Sequence, residues 1–204
     1  MDRDPDTSPT TAHDPAPDGN GSPYRVCFVC TGNICRSPMA EAVCRAELAA
    51  HGLGAAVVVD SAGTGSWHVG EEADPRATAA LASAGYHRPG DAGEHEARQF
   101  RRGWFDRYNL VIALDRGHER SLRRLAPSPA HAARVRLLRD FDPAVSDPDD
   151  LDVPDPYYGG DAGFAVCLKL IEDAMPGLLA EIERDLDQND RAANGGVNDP
   201  TEGR

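Results

Sequence analysis

No apolar periodicity appears along the chain before Tyr24. Val26 to Val29 is a short, β-prone apolar run, the pattern of a buried strand. Beyond a polar loop, Met39, Ala42, Val43 and Ala46 recur at helical spacing. With Ser37 as N-cap and Pro38 as first helical residue, they predict a helix over 38–50, ending near Gly52. Val57-Val58-Val59 is the next strand and closes on Ser61-Ala62-Gly63-Thr64-Gly65. Residues 75–84 form a short helix stopped by Gly85, and His95 to Phe100 is a polar, structural stretch. The apolar run Leu110 to Leu114 is typical of a parallel strand buried on both faces. A helix over 116–125 and a fourth strand, Val135 to Leu138, follow. The last helix begins near Asp161. Phe164, Leu168, Ile171, Met175, Leu178 and Ile182 form its stripe, with a kink expected at Pro176.

Strands alternate with helices, which predicts one α/β domain with a parallel sheet and helices on both faces. The domain is expected over 24–186. Residues 1–23 are rich in Asp, Pro, Thr and Gly and cannot fill a core. They are expected to be a disordered tail, as are the polar residues 187–204.

Charge narrows the partners. The formal net charge of −13 argues against nucleic acid and anionic membranes. No run is apolar enough to span a membrane, and Met1-Asp2-Arg3-Asp4 opens no signal peptide, so a cytoplasmic protein is expected; export by a signal-independent route stays open, and a monomer is expected. Five cysteines are an odd count and argue against a disulfide framework. Cys27 and Cys30 are three apart in a strand and face opposite sides, which argues against a C-x2-C metal or redox pair. Cys44 and Cys167 fall on apolar helix stripes. Seven aspartates lie from Asp140 to Asp155 without EF-hand spacing, and no metal site is expected.

The chemistry concentrates in Cys30-Thr31-Gly32-Asn33-Ile34-Cys35-Arg36-Ser37-Pro38, placed between strand and helix. Gly32 and Asn33 suit a tight turn. The loop N–H groups of Thr31 to Arg36 converge at the positive end of a helix, which makes an oxyanion site. Arg36 offers a planar fork that matches two phosphate oxygens. Cys30 sits at the floor as a nucleophile, since a helix N-terminus and a nearby guanidinium favour a thiolate. Thr31, Gly32, Asn33, Ile34, Cys35 and Ser37 are the candidate loop residues for substrate binding. Asn33 is expected to brace the loop, and Ser37 to give its hydroxyl to the thiolate. Asp115, at a strand's carboxyl end, either orients loop groups or caps the helix behind it.

The nine-residue loop resembles the signature of the low-molecular-weight protein tyrosine phosphatases. Asp155-Pro156-Tyr157-Tyr158 resembles that family's second motif, and Ser61-Ala62-Gly63-Thr64 and Ala113-Leu114-Asp115-Arg116 are similar to actinobacterial members. The resemblance spans roughly 24–186. It implies four strands in the order 2-1-3-4, with the phosphate-binding loop after strand 1. It implies metal-independent hydrolysis of phosphotyrosine on proteins through a cysteinyl-phosphate, with no cofactor and with Asp155 as general acid. It makes Trp67 a wall of the cleft, with His68 on the rim and Tyr157 and Tyr158 lining the opening.

Three rivals are weighed. Arsenate reductases of this fold use extra cysteines in a later segment, and here none lies between Cys44 and Cys167. A non-catalytic phosphate-binding module would not need both Cys30 and Asp155. A P-loop nucleotide hydrolase needs G-x-x-x-x-G-K-[ST], but the single lysine is Lys169 on the last helix.

Overall fold

A computed structural model describes residues 22–86 and 95–194. Strand β1 (Tyr24–Cys30) is its hub. It pairs in parallel with β2 (Val57–Gly63) on one side and β3 (Leu110–Ala113) on the other, and β3 carries β4 (Val135–Leu137). The sheet order is β2-β1-β3-β4, as the resemblance implied. Among the described residues, five α-helices follow in order: α1 (Arg36–Ala50), α2 (Pro75–Ser83), α3 (Arg116–Leu125), α4 (Pro129–Ala133) and α5 (Asp161–Asn194).

Alternation along β1 divides the interior in two. Val26, Phe28 and Cys30 face a core shared with Met39 and Val43 of α1 and with Phe164, Ile171 and Leu178 of α5. Cys27 and Val29 face a second core, with Phe105, Val111 and Leu122. Each large side chain buried in these layers contributes roughly 1.5–3 kcal/mol. Cys27 and Cys30 therefore lie on opposite faces, and Cys44 and Cys167 are core residues of the first layer.

The structure revises several expectations. Helix α1 starts at Arg36, with Cys35 in the cap position and no side-chain cap, so Ser37 lies inside the first turn. The Ser37 hydroxyl is committed elsewhere, to Cys30 and Asn33. Helix α4 was not foreseen, nor were two short 3-10 turns, Arg102–Arg107 and Leu138–Phe141. The polar residues from Asp187 are expected as tail, but α5 runs on to Asn194, and Asp187 and Arg191 form an i,i+4 ion pair at 4.0 Å. It also continues as helix through Pro176. A side chain at Gly177 would collide with the Phe141 carbonyl, so α5 and the second 3-10 turn meet closely there. The expected tails, over 1–21 and 195–204, lie outside the described residues. No helix of the described residues is long and apolar enough to cross a membrane.

Candidate active site

Register places the site. Cys30 ends β1 opposite Gly63 of β2, and the chain then turns through residues 31–35 into α1. Thr64 N–H donates to the Cys30 carbonyl at 2.8 Å and Gly65 N–H to the Thr31 carbonyl at 2.9 Å. Asp74 N–H donates to the Ile34 carbonyl at 2.7 Å. These bonds fix the outer side of the loop.

Asn33 holds the loop from beneath. It is fully buried in a left-handed conformation, φ 60°. Its Nδ2 donates to Ser37 Oγ and to Ser61 Oγ, both at 2.9 Å, and its Oδ1 accepts from Arg98 N–H at 2.9 Å. Its carbonyl lies 2.6 Å from His95 Nε2. Asn33 N–H donates to Cys30 Sγ at 3.3 Å, and Ser37 Oγ sits 3.0 Å from the same sulfur. One backbone donor thus aims at Sγ, with the Ser37 hydroxyl within hydrogen-bond distance of the same atom. Neither Asn33 nor Ser37 lines the cleft. Their place among substrate contacts is corrected to one beneath the loop, because both side chains are spent on hydrogen bonds below it.

Arg36 is almost fully buried, and its fork is held at both ends. Nη1 donates to Asp115 Oδ2 at 2.9 Å and to the Val153 carbonyl at 3.2 Å. Nη2 donates to Asp155 Oδ2 at 2.8 Å and to Thr31 Oγ1 at 3.2 Å. Asp115 satisfies both of its readings at once, since its Oδ1 also caps α3 by accepting from His118 N–H at 2.8 Å.

The cleft has a volume of about 130 Å³. That is well below the roughly 300–1,000 Å³ of a drug-sized ligand site, so it takes a head group and leaves the rest of a substrate outside. Cys30, Thr31, Gly32, Ile34, Cys35 and Arg36 form its floor and sides. Trp67, His68, Asp155, Tyr157 and Tyr158 form its rim. Trp67 is 66% exposed and Tyr158 92%, a large apolar area to leave in water. The Trp67 ring lies against Gly65, where any side chain would displace it, and His68 lies over Gly32 with Nδ1 2.7 Å from Glu71. Tyr157 and Tyr158 meet edge to face at 5.0 Å. Arg76 clamps their loop by donating to the Gly159 carbonyl at 3.1 Å, with its guanidinium 5.7 Å from the Tyr157 ring. Burial pushes the Cys35 thiol up to about 12. Among the described residues, no group of three or more His, Cys, Asp or Glu side chains could hold a metal ion.

Sequence reasoning missed three contributors. His95 and Arg98 sit in a stretch read only as structural, yet they anchor Asn33. His118, in the first turn of α3, touches Thr31 Oγ1 at 2.8 Å. The signal for it was its place three residues after Asp115, at the carboxyl end of β3.

Comparison with known proteins agrees with this geometry. The profile of the family described as low molecular weight phosphotyrosine protein phosphatase matches residues 25–189. A low molecular weight protein-tyrosine-phosphatase of Streptomyces coelicolor is 60% identical over 164 residues, covering 80% of this chain and 96% of that protein. Low molecular weight protein-tyrosine phosphatase A of Mycobacterium tuberculosis is 48% identical over 171 residues, with coverage of 82% and 96%. The crystal structure of YfkJ from Bacillus subtilis superposes with a TM-score of 0.70 at 38% identity, covering 82% of this chain and 99% of that one. The chain therefore belongs to the low-molecular-weight phosphotyrosine protein phosphatase family, a family of hydrolases.

Proposed function

We propose that this cleft hydrolyses phosphotyrosine on protein substrates, with Cys30, Arg36 and Asp155 as its catalytic residues. Cys30 Sγ attacks phosphorus in line and displaces the phenolic oxygen, which takes a proton from Asp155. The cysteinyl-phosphate then reacts with a water that the Asp155 carboxylate deprotonates, and phosphate leaves. Arg36 and the loop N–H groups hold the equatorial oxygens as charge shifts onto them. Ser37 has one hydroxyl proton and two takers, Cys30 Sγ at 3.0 Å and the Ala62 carbonyl at 3.2 Å. It gives that proton to sulfur while sulfur carries charge. Positive charge comes from Arg36 and the start of α1, so the chemistry needs no metal or cofactor.

The observation that carries this reading is the convergence of three groups on one small cleft. Cys30, the Arg36 fork and Asp155 all line it, with Arg36 Nη2 2.8 Å from Asp155 Oδ2. Nη2 gives one N–H to Thr31 and one to Asp155. A phosphate oxygen takes the second and releases the Asp155 carboxyl toward the leaving oxygen. The exposed aromatic rim suits a phosphate at the end of a long, flat side chain. A cytoplasmic, monomeric enzyme acting on phosphoproteins, with no nucleic acid or membrane partner, is part of the same reading. Its support is the net charge of −13 and five free thiols. The domain assignment, 24–186, rests on the extent of the two cores.

One experiment tests the whole. A peptide carrying phosphotyrosine, phosphoserine or phosphothreonine at one position is assayed in EDTA, with wild type and Cys30→Ser in parallel. The expected result is turnover of phosphotyrosine alone, abolished in Cys30→Ser while phosphate still binds. Comparable rates on all three peptides, or residual turnover in Cys30→Ser, refutes the reading.

A further inference from the structure

Thr31 directly follows the nucleophile, and its hydroxyl has one proton to give. Arg36 Nη2 can only donate, so at 3.2 Å it occupies a lone pair of Thr31 Oγ1. His118 Nε2, 2.8 Å from the same oxygen, either takes the Thr31 proton or adds a second donor. The two cases differ in function. In the first, the hydroxyl is spent and Thr31 acts only as an anchor for Arg36. In the second, its proton is free to turn toward bound phosphate.

The other side of the imidazole decides between them. His118 Nδ1 is buried and lies 3.1 Å from Asp115 Oδ1, off the line of a regular hydrogen bond and with no other partner among the described residues. A bare nitrogen lone pair facing a carboxylate at that distance is repulsive, whereas an N–H facing it is attractive. The proton therefore sits on Nδ1, and Nε2 is the acceptor. We propose that His118 is a positioning residue for phosphate binding: its bare Nε2 takes the Thr31 proton, locks Thr31 Oγ1 as an acceptor, and so fixes the second arm of the Arg36 fork. Asp115 fixes the first arm, from the same helix cap. The result is a ring of three hydrogen bonds, Arg36 Nη2 to Thr31, Thr31 to His118 and Arg36 Nη1 to Asp115, closed by the electrostatic contact of His118 Nδ1 with Asp115 Oδ1 at 3.1 Å.

The charge state agrees. Burial drives the imidazole down to about 4, with Arg36 acting in the same direction, while Asp115, Asp155 and Asp152 partly oppose it. His118 is thus neutral at neutral pH and free to accept. The inference rests on the proposed role of Arg36 as phosphate holder, and its test reads binding and tautomer rather than turnover.

The affinity for inorganic phosphate is measured by calorimetry in wild type, His118→Leu, Thr31→Val and the double variant. A hydrogen bond to a charged group is worth enough that each single change should weaken phosphate about tenfold or more. The double variant should be no worse than Thr31→Val alone, because His118 acts through Thr31. His118→Gln, which keeps an acceptor and serves as the check should His118→Leu fold poorly, should stay close to wild type. In parallel, ¹⁵N NMR of the imidazoles, with His118 assigned by its loss in His118→Gln, should show the Nδ1–H tautomer. Additive losses in the double variant, or an Nε2–H tautomer, overturns the proposal.

Discussion

Gly63→Ala tests whether the loop's backbone position, apart from its side chains, sets the rate. A Cβ built at Gly63 would stand 2.7 Å from the Thr31 carbonyl oxygen, 3.1 Å from Gly32 C and 3.1 Å from Asn33 N. All three are backbone atoms of the phosphate loop. Ordinary contact begins near 3.4 Å, so the Thr31 carbonyl must withdraw by 3.4 − 2.7 = 0.7 Å. That carbonyl is tied to Gly65 N–H at 2.9 Å and its neighbour at Cys30 to Thr64 N–H at 2.8 Å, so the shift strains or breaks one of them. Overpacking of this kind costs about 1–3 kcal/mol. For a domain of this size each kcal/mol lowers Tm by roughly 2–4 °C, so a fall of about 2–12 °C is expected. Since a 1 Å misplacement can cost about 10²-fold in rate, kcat/KM on an aryl phosphate should fall by roughly 10–10². Gly32→Ala is the internal control. Its Cβ would meet His68 Cδ2 at 2.7 Å, the side of a ring on the rim that can swing outward. That change should stay within about 0.5 kcal/mol in stability, as for ordinary surface substitutions. Full kcat/KM with unchanged Tm in Gly63→Ala, or greater damage from Gly32→Ala, would refute the reasoning.

Two further expectations follow from the same geometry. Asp155→Ala should lower kcat by about 10²–10⁴, the usual worth of general acid catalysis, with a smaller loss for substrates whose leaving groups need little protonation. An equal loss across a leaving-group series would count against the acid role. Peroxide should inactivate the enzyme by oxidising Cys30 to a sulfenic acid, which Cys35 then traps as a disulfide that a dithiol reverses. Trapping needs the Cys35 thiolate, and burial pushes that thiol up to about 12, so the thiolate fraction grows as pH rises from neutrality. The recoverable fraction of activity should therefore climb with pH. Peptide mapping that finds only over-oxidised Cys30 at every pH would rule the trap out.

Much of the fold was legible because it rests on local periodicity. The apolar strands and the α5 stripe are set by side-chain alternation and helical spacing, which the sequence shows directly. Helix starts were less legible, and the Ser-Pro pairs at 37–38 and 128–129 show why. Ser128 caps α4 through its side chain, with Pro129 behind it, but five residues, Pro129–Ala133, are too few to show a helical period. Ser37-Pro38 carries the same local signal, yet α1 begins one residue before it and has no side-chain cap. The difference is tertiary. Ser37 is drawn to Cys30 and Asn33, which leaves the first N–H groups of α1 without an internal partner. A helix that receives an anion, the role proposed for the start of α1, gains from an open end.

The site divides along the same line. Cys30, Arg36 and Asp155 were legible because chemistry constrains their types and, for the first two, their spacing. His95, Arg98 and His118 were not, because each acts across a distance in sequence of 62, 65 or 87 residues. No local pattern encodes such a pairing. It arises from the sheet order, since β3 beside β1 carries Asp115 and the start of α3 to the mouth of the loop. Once that neighbour is fixed, a side chain in the first turn of α3 has little freedom. Asp115 at the strand end caps the helix with one oxygen and holds Arg36 with the other. The residue three positions on is then aimed back at the loop, where Thr31 is the hydroxyl within reach. Such partners become legible from sequence only after the strand order is known, by asking which polar residues the cap of each neighbouring helix turns toward the loop.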